Sequence, residues 1–413
     1  MVTPIPTANK LTPPWGTLTG IRPAKVAEKM LVAGNSAGDV TDKLMQQYKV
    51  SPDRAALCAE TAQTTLRIKD TLSPKDVALY VGIPFCPTRC AYCSFVSNSV
   101  EKSFKLIDPF VETLKREIET MSELAGELGL RIISVYMGGG TPTALPDNAL
   151  EAVMTTLSQA FDLSSLREYT VEAGRPDTIT EQNLKIMTRL GAKRICINPQ
   201  TMSAEVLKAI GREHRPEDVY DAVKLVRKTG AAINMDIIAG LPNDTLEGFQ
   251  QTLDAALGFS PENITVHTLS LKKGSRLMNE KTDAPKGEKL KITPPAVPLE
   301  ALCGNVGEML DYASKILREH RYSPYYVYRQ KYISGGFENT GWCLPGYEGI
   351  YNICMMEELC TVLAVGGGGV TKLVTTDGRI ERVFNAKYPL EYINMTEKMK
   401  EKVGRVRENA VSI

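Results

Sequence analysis

The run Tyr80-Val-Gly-Ile-Pro-Phe-Cys86-Pro-Thr-Arg-Cys90-Ala-Tyr-Cys93 sets three cysteines within eight residues, directly after a β-rich stretch. Three thiolates at C-x3-C-x2-C spacing can close around one face of an iron–sulfur cube. The fourth iron then lacks a protein ligand, the kind of open position that separates catalytic from structural metal sites. A zinc knuckle is the alternative, but it is built from paired C-x2-C halves, and Cys58, Cys196, Cys303, Cys343, Cys354 and Cys360 form no such pair. Nine cysteines in 413 residues is an odd number that does not read as a disulfide framework. It fits a reducing cytoplasm in which some thiolates have a special use.

Outward from the triplet, short β-rich runs alternate with longer amphipathic stretches. The runs are Val77–Ile83, Ile132–Met137, Tyr169–Ala173, Arg194–Asn198, Ile233–Ile238 and Ile264–Leu269. Between the first two, Phe110, Leu114, Ile118, Met121 and Leu124 step by three and four and so share one helical face. Glu181–Leu190, Pro216–Thr229 and Leu246–Leu257 predict further helices. Strand and helix in alternation, with crossovers of this length, require parallel strands and right-handed connections. Six such units build either an open doubly wound sheet or a partial barrel, and periodicity does not choose between them.

Residues 1–76 read as an N-terminal helical cap, Pro-rich at first and then periodic through Val40, Leu44 and Tyr48 and again through Leu57, Thr61 and Leu66. Residues 77–271 form the strand-helix core. Residues 272–413 open with a mixed charge run, a solvated linker by composition, then give a helix over Leu299–Leu317 and a Tyr/Gly-rich stretch, Tyr322–Tyr351, and read as a smaller α+β domain. The net charge of +1 argues against a protein that works by blanket attraction to nucleic acid or anionic lipid. No apolar run approaches the roughly 18 residues of a membrane helix.

Polar groups recur at the strand ends. The second run leads into Gly138-Gly-Gly-Thr-Pro-Thr143, the third carries Glu172, Gln200 follows the fourth, the fifth carries Asp236, and the sixth holds His267 with Ser270 after it. Polar side chains on otherwise apolar strands must be satisfied or face a cavity, and their recurrence at corresponding ends points to a shared polar site.

On these residues the chain resembles the radical S-adenosylmethionine (SAM) superfamily, whose signature is such a triplet at the end of the first strand. The resemblance implies an α/β fold with a partial (β/α)6 TIM-like barrel, flanked here by the helical cap and the C-terminal α+β part. It implies a [4Fe-4S] cluster on Cys86, Cys90 and Cys93, with SAM on the open iron. One-electron reduction of SAM then gives a 5′-deoxyadenosyl radical that abstracts hydrogen, while the protein supplies position and excludes water. Tyr80-Val-Gly-Ile-Pro-Phe-Cys86, Val171-Glu-Ala-Gly-Arg-Pro176, Asn198-Pro-Gln-Thr-Met202, Gly211-Arg212 and Asp236-Ile-Ile-Ala-Gly-Leu-Pro242 are similar in order and spacing to the oxygen-independent coproporphyrinogen III oxidase group. By that resemblance Tyr80, Tyr92, Gly139, Gly140, Thr141, Glu172, Gln200, Arg212 and Asp236 contact one SAM or two. Trp15-Gly-Thr-Leu-Thr-Gly-Ile-Arg-Pro23, Pro324–Lys331, Glu338-Asn-Thr-Gly-Trp342 and the Gly366–Gly369 run extend the resemblance to the HemZ, or coproporphyrinogen dehydrogenase, branch.

Two departures matter. Ser94-Phe95 stands where the oxidases have a fourth cysteine, as in heme-chaperone relatives. The chaperones' C-terminal His-Asn and Tyr-Trp signature is also missing, and Tyr325-Tyr-Val-Tyr-Arg-Gln-Lys331 takes its place. The resemblance therefore implies a cytoplasmic, monomeric, anaerobic oxidoreductase of heme biosynthesis that decarboxylates the propionates of coproporphyrinogen III. It would draw electrons from a low-potential donor such as flavodoxin or ferredoxin. A heme-delivery protein, or radical chemistry on heme or another tetrapyrrole, is the alternative. Arg89, Arg175, Arg329 and Lys331 are candidate cations for an anionic tetrapyrrole, and each reads equally well as a surface charge. Of the histidines, His267 reads as a lumen or core group, His214 as a surface group, and His320 as a helix-end cation.

Overall fold

The computed structural model describes residues 13–93, 98–270, 275, 277, 305–330, 336–375 and 378–410. Three helices, Ala24–Val32, Ala37–Tyr48 and Pro52–Lys69, precede the first strand. Ser36 starts the second with a reciprocal capping box to Asp39, which satisfies two backbone donors the helix end leaves open.

The six expected runs are all strands. They are β1 (Asp76–Ile83), which runs into the two-residue pair β2 (Phe85–Cys86) and β3 (Asn98–Ser99), then β4 (Arg131–Gly139), β5 (Glu168–Glu172), β6 (Arg194–Cys196), β7 (Ala232–Ala239) and β8 (Asn263–Thr268). β1, β4, β5, β6, β7 and β8 pair in that order, every pair parallel. Helices Ile107–Glu127, Asp147–Ala160, Glu181–Arg189, Pro216–Arg227 and Leu246–Gly258 cross between them. The charge run after Ser270 lies outside the described residues except Ser275 and Leu277. The expected helix of the C-terminal zone spans Val306–Glu319, and the part before residue 305 also lies outside.

The remaining strands do not form a sheet of their own. β9 (Ser323–Arg329), β10 (Glu338–Cys343), β11 (Val362–Gly366), β12 (Val370–Val374) and β13 (Ile380–Phe384) extend the same sheet at both edges. β10 lies antiparallel on β8 with β9 outside it, and β11 lies parallel on β1 with β12 and β13 beyond. Both edges of the parallel core are thereby covered, so neither offers its open backbone groups to another chain.

Because side chains alternate along a strand, the sheet has two unlike faces. Val77, Leu79, Val81, Ile83, Val135, Met137, Val171, Ile195, Ile233 and Met235 pack with Phe110, Leu114, Ile118, Met121 and Leu124 in one buried apolar cluster under the helices. The opposite parity carries Tyr80, Tyr136, Glu172, Cys196, Asp236 and His267, so the inner face is polar. Helix Ile350–Glu357 sits against the inner face near the strand starts, where the Tyr351 amide donates to Glu168 at 2.9 Å.

Candidate active site

At the end of β1 the chain turns through the cysteine loop. The loop is held from below by the glycine run after β4. The Gly140 amide donates to the Ile83 carbonyl and the Thr141 amide to that of Phe85, both at 2.7 Å. A side chain on Gly140 would place its Cβ 2.3 Å from the Phe85 oxygen, so only glycine permits this approach. Thr141 Oγ1 lies 3.7 Å from Cys86 Sγ. The Ala91 amide donates to the Ile210 carbonyl at 2.8 Å, which ties the far side of the loop to the segment carrying Arg212. Cys86 and Cys93 are half-buried and Cys90 is buried, all three in the reduced form.

Arg212 explains how Cys90 can be buried. Burial would raise its thiol, but Arg212 first and Arg175 second pull it below the usual range, helped by hydrogen bonds from Arg212 and Tyr92. Arg212 Nη1 donates to the carbonyls of Asn198 (2.6 Å) and Gly174 (3.1 Å), which fixes its guanidinium between two strand ends. Gln200 adopts left-handed backbone geometry at φ 67°, a costly conformation for a non-glycine residue, and its backbone bridges to β7 beside Asp236.

Below the loop, the inner face carries an aromatic column and an acid pair. Tyr80, Tyr136 and Tyr351 are stacked, with the Tyr136 and Tyr351 centroids 4.5 Å apart and Tyr80 6.4 Å from Tyr136. Tyr136 donates to Glu172 Oε1 at 2.5 Å. Burial raises the Glu172 carboxyl to about 7 against the opposing hydrogen bond from Tyr136, and nearby Asp236 adds to the rise. Asp236 goes the other way. Although burial would raise it, interaction with His267 (Nε2 to Oδ2, 3.6 Å) and the hydrogen bonds from Asn234 (2.9 Å) and Thr265 keep it below the usual carboxylate range. Glu172 can therefore hold a proton at neutral pH while Asp236 stays ionised, two acids in one lumen with opposite protonation.

The Radical SAM superfamily model matches residues 80–256. An oxygen-independent coproporphyrinogen-III oxidase-like protein, HemZ of Bacillus subtilis, is 38% identical over 92% of this chain and 74% of its own length. The chain belongs to the radical SAM superfamily and to its HemZ-like group. The heme chaperone HemW of Lactococcus lactis is 29% identical over 69% of this chain and 66% of its own. Among solved structures, coproporphyrinogen III oxidase (HemN) from Escherichia coli superposes with a TM-score of 0.60 over 85% of this chain and 78% of that one, at 19% identity, a likeness of fold.

Radical SAM membership implies a [4Fe-4S] cluster and SAM, and the chemistry of the mouth fits both. Cys90 is held toward the thiolate by two guanidinium groups, as an anionic cluster requires. Gln200 Oε1, Asn198 Oδ1, Arg212 Nε and Ser270 Oγ are buried polar atoms without protein partners, grouped at neighbouring strand ends where a polar ligand would satisfy them. Among the described residues, no three or more His, Cys, Asp or Glu are placed to hold a single metal ion. A cube takes its thiolates on separate irons, so its ligands need not meet at one point.

Three expectations change. His214 is not on the surface. It is 3% exposed, neither ring nitrogen has a hydrogen-bond partner, and burial, reinforced by Arg212, lowers it to about 4. Burial alternates along Arg212–Arg215, so Arg212 and His214 lie inside while Glu213 and Arg215 are exposed. Arg175 is likewise buried, and its guanidinium is taken up by Asp177 (3.1 and 3.2 Å) and Thr88 (2.9 Å). Arg329 is committed to the carbonyls of Leu18 and Gly336 and lies over the Trp15 ring. Neither is left over for an anionic substrate. Arg89 is half-buried within the loop, and Lys331 lies outside the described residues, as do Ser94 and Phe95. His267 faces Asp236 in the lumen, and His320 caps its helix as expected. The sequence gives neither Tyr136 nor Tyr351 a place in the site, although Tyr351-Asn352 belongs to the resemblance to the HemZ branch. Tyr136 shares its parity with Gly138 and Ser134, which was the available signal, whereas Tyr351 arrives from a distant helix that no local pattern connects to β4.

Proposed function

We propose that this chain is a radical SAM oxidoreductase of the coproporphyrinogen dehydrogenase type, acting in the cytoplasm on the propionate side chains of coproporphyrinogen III. The observation that carries the reading is the polar lumen under the cysteine loop, with one proton-holding and one ionised carboxyl group, in a chain similar to a coproporphyrinogen-III oxidase-like protein over nearly its whole length. Cys86, Cys90 and Cys93 would hold the cluster. Gly139, Gly140, Thr141, Glu172, Gln200, Arg212, Asp236, Tyr80 and Tyr92 would hold SAM. When bound, this pair supplies one-electron chemistry able to remove hydrogen from an unactivated carbon. The chain's own part is to hold and orient. Arg212 offers its unpartnered Nε toward a carboxylate, ionised Asp236 accepts from ammonium or hydroxyl donors, and protonated Glu172 donates or accepts without adding charge. The stacked tyrosines would shield Glu172 from water on one side. Residues 1–76 would act as a cap, 77–271 as the catalytic barrel and 272–413 as its cover.

Delivery of heme is the second reading, favoured by the similarity to the Lactococcus chaperone. The test is anaerobic incubation of reconstituted protein with SAM, reductant and coproporphyrinogen III. Protoporphyrinogen with 5′-deoxyadenosine supports the proposal. Stoichiometric heme binding without turnover replaces it with the second reading, and deoxyadenosine without decarboxylation points to another tetrapyrrole. Cys90→Ala should abolish the brown cluster chromophore while Cys58→Ala, in the helical cap, keeps it.

A further inference from the structure

On the outer face of the sheet, five segments meet at one buried carboxylate. Glu117 lies in helix Ile107–Glu127 and is fully buried. Its Oε1 pairs with Lys402 Nζ of the last helix, Thr396–Ala410, at 2.8 Å and accepts from Asn385 at 2.9 Å. Its Oε2 accepts from the Gly366 amide at 2.7 Å and from the Tyr392 hydroxyl at 2.5 Å. Lys402 Nζ also donates to the Ala364 carbonyl, and the Asn385 amide donates to the Gly366 carbonyl at 2.8 Å.

Asn385 also reaches Oε2 at 3.2 Å, and the other two donors to it, Gly366 and Tyr392, brace the stretch that leads to Cys86. Gly366, at φ +89°, presses on β1 so closely that a Cβ there would lie 2.2 Å from the Gly82 oxygen, and one on Gly367 would lie 2.7 Å from the Pro84 ring. The Tyr392 ring rests on Phe110 (4.9 Å between centroids), and Phe110 meets the Phe85 ring edge-on at 5.2 Å. Gly82, Pro84 and Phe85 are the last residues before the first cysteine. The carboxylate thus joins two contacts on one short segment, one from the neighbouring strand and one from the outer face, and a buried ion pair of this kind sets geometry more than it adds stability.

We infer that Glu117 and Lys402 are positioning residues for Cys86: the C-terminal helix, through this ion pair, fixes Gly366 and Tyr392 against Gly82–Phe85 and so sets where the first thiolate meets the cluster. This rests on the proposed ligand role of Cys86. It makes the last helix part of the cluster platform although it lies on the opposite face of the sheet.

The test uses the full chain with Lys402→Met, the double variant Glu117→Gln/Lys402→Met, and Arg54→Met, which breaks a comparably buried ion pair to Glu338 elsewhere. In metal-free protein well below its melting point, iodoacetamide labelling of Cys86, Cys90 and Cys93 is read by peptide mass spectrometry. Iron content and the EPR spectrum are read after reconstitution. Lys402→Met should label Cys86 about tenfold faster relative to Cys93, the effect of easing a local opening by one hydrogen-bond equivalent. The double variant, whose neutral amide still accepts from Gly366 and Tyr392, should return toward wild type, and Arg54→Met should lower melting without changing the ratio. An unchanged ratio in Lys402→Met, or an equal rise at all three cysteines, overturns the inference. A selective rise at Cys86 with wild-type iron content and EPR spectrum overturns instead the ligand role of Cys86. If Lys402→Met does not fold, Tyr392→Phe removes one donor to the other oxygen of the same carboxylate, leaves the ion pair intact and carries the same test.

Discussion

Glu172→Gln should make the protein less sensitive to pH. In the folded chain, burial lifts this carboxyl from its ordinary 4.5 to about 7, with Asp236 pushing the same way and Tyr136, the Gly139 amide and His267 opposing. Below 4.5 both folded and unfolded chains carry the proton and the group is neutral to stability. As pH rises past 4.5 the unfolded chain ionises first, so stability falls until the folded group ionises near 7. A displacement of this size corresponds to about 3 kcal/mol at slightly alkaline pH. Glutamine keeps an oxygen for Tyr136 and removes the ionisation. Urea unfolding of the metal-free protein at pH 5 and pH 8 should therefore show the wild type losing roughly 3 kcal/mol more than Glu172→Gln between the two conditions. Equal losses in the two proteins would refute the account of a proton held by burial in the lumen.

His214 gives the mirror case. Its folded value of about 4 lies below the ordinary 6.5, so its contribution is present above 6.5 and is lost as pH falls toward 4. His214→Gln should flatten that acid limb in the same urea experiment, and the His214 ring resonances should not titrate between pH 5.5 and 8. Gly140→Ala must displace Phe85 or the glycine run, at a cost of about 1–3 kcal/mol, and should lower iron uptake on reconstitution, read by melting temperature and iron content. Glu338→Ala leaves buried Arg54 with Asp311 as its remaining carboxylate partner and takes the partner from Trp15 Nε1, now bonded at 2.8 Å, so it should cost about 1–3 kcal/mol in urea and loosen the N-terminal helices, seen as new protease sites before Asp76.

How much of this was legible in the sequence depends on range. The helix face of Phe110, Leu114, Ile118, Met121 and Leu124 and the six strand runs are matters of local period, and each appears where the spacing puts it. The cysteine loop and the glycine run were readable because their chemistry is written in consecutive residues. What was not readable is whatever depends on parity among polar residues or on distant partners. Gly211–Arg215 has no hydrophobic alternation to show that Arg212 and His214 turn inward, so composition alone read His214 as a surface group. Arg175 read as a candidate cation because one partner, Thr88, is distant in sequence, and nothing local shows that its guanidinium turns back onto Asp177 two residues on. Nothing in the Tyr/Gly-rich tail says that its strands join both edges of an existing sheet, since edge pairing depends on backbone groups that every sequence carries.

The pairing of β1 with β11 has a consequence for how the protein is made. Ala78 is hydrogen-bonded alongside Val362, and Trp15 binds Glu338, so some of the most central contacts join residues synthesised near opposite ends of the chain. Topologies dominated by such distant pairs fold slowly, because the cost of closing a long loop comes before its contacts form. During translation one side of the strand that leads to the cysteines stays unpaired until the last quarter of the chain leaves the ribosome. A chain interrupted before Val362 therefore emerges with an open, apolar β-edge next to three reactive thiols, a species prone to aggregation and oxidation.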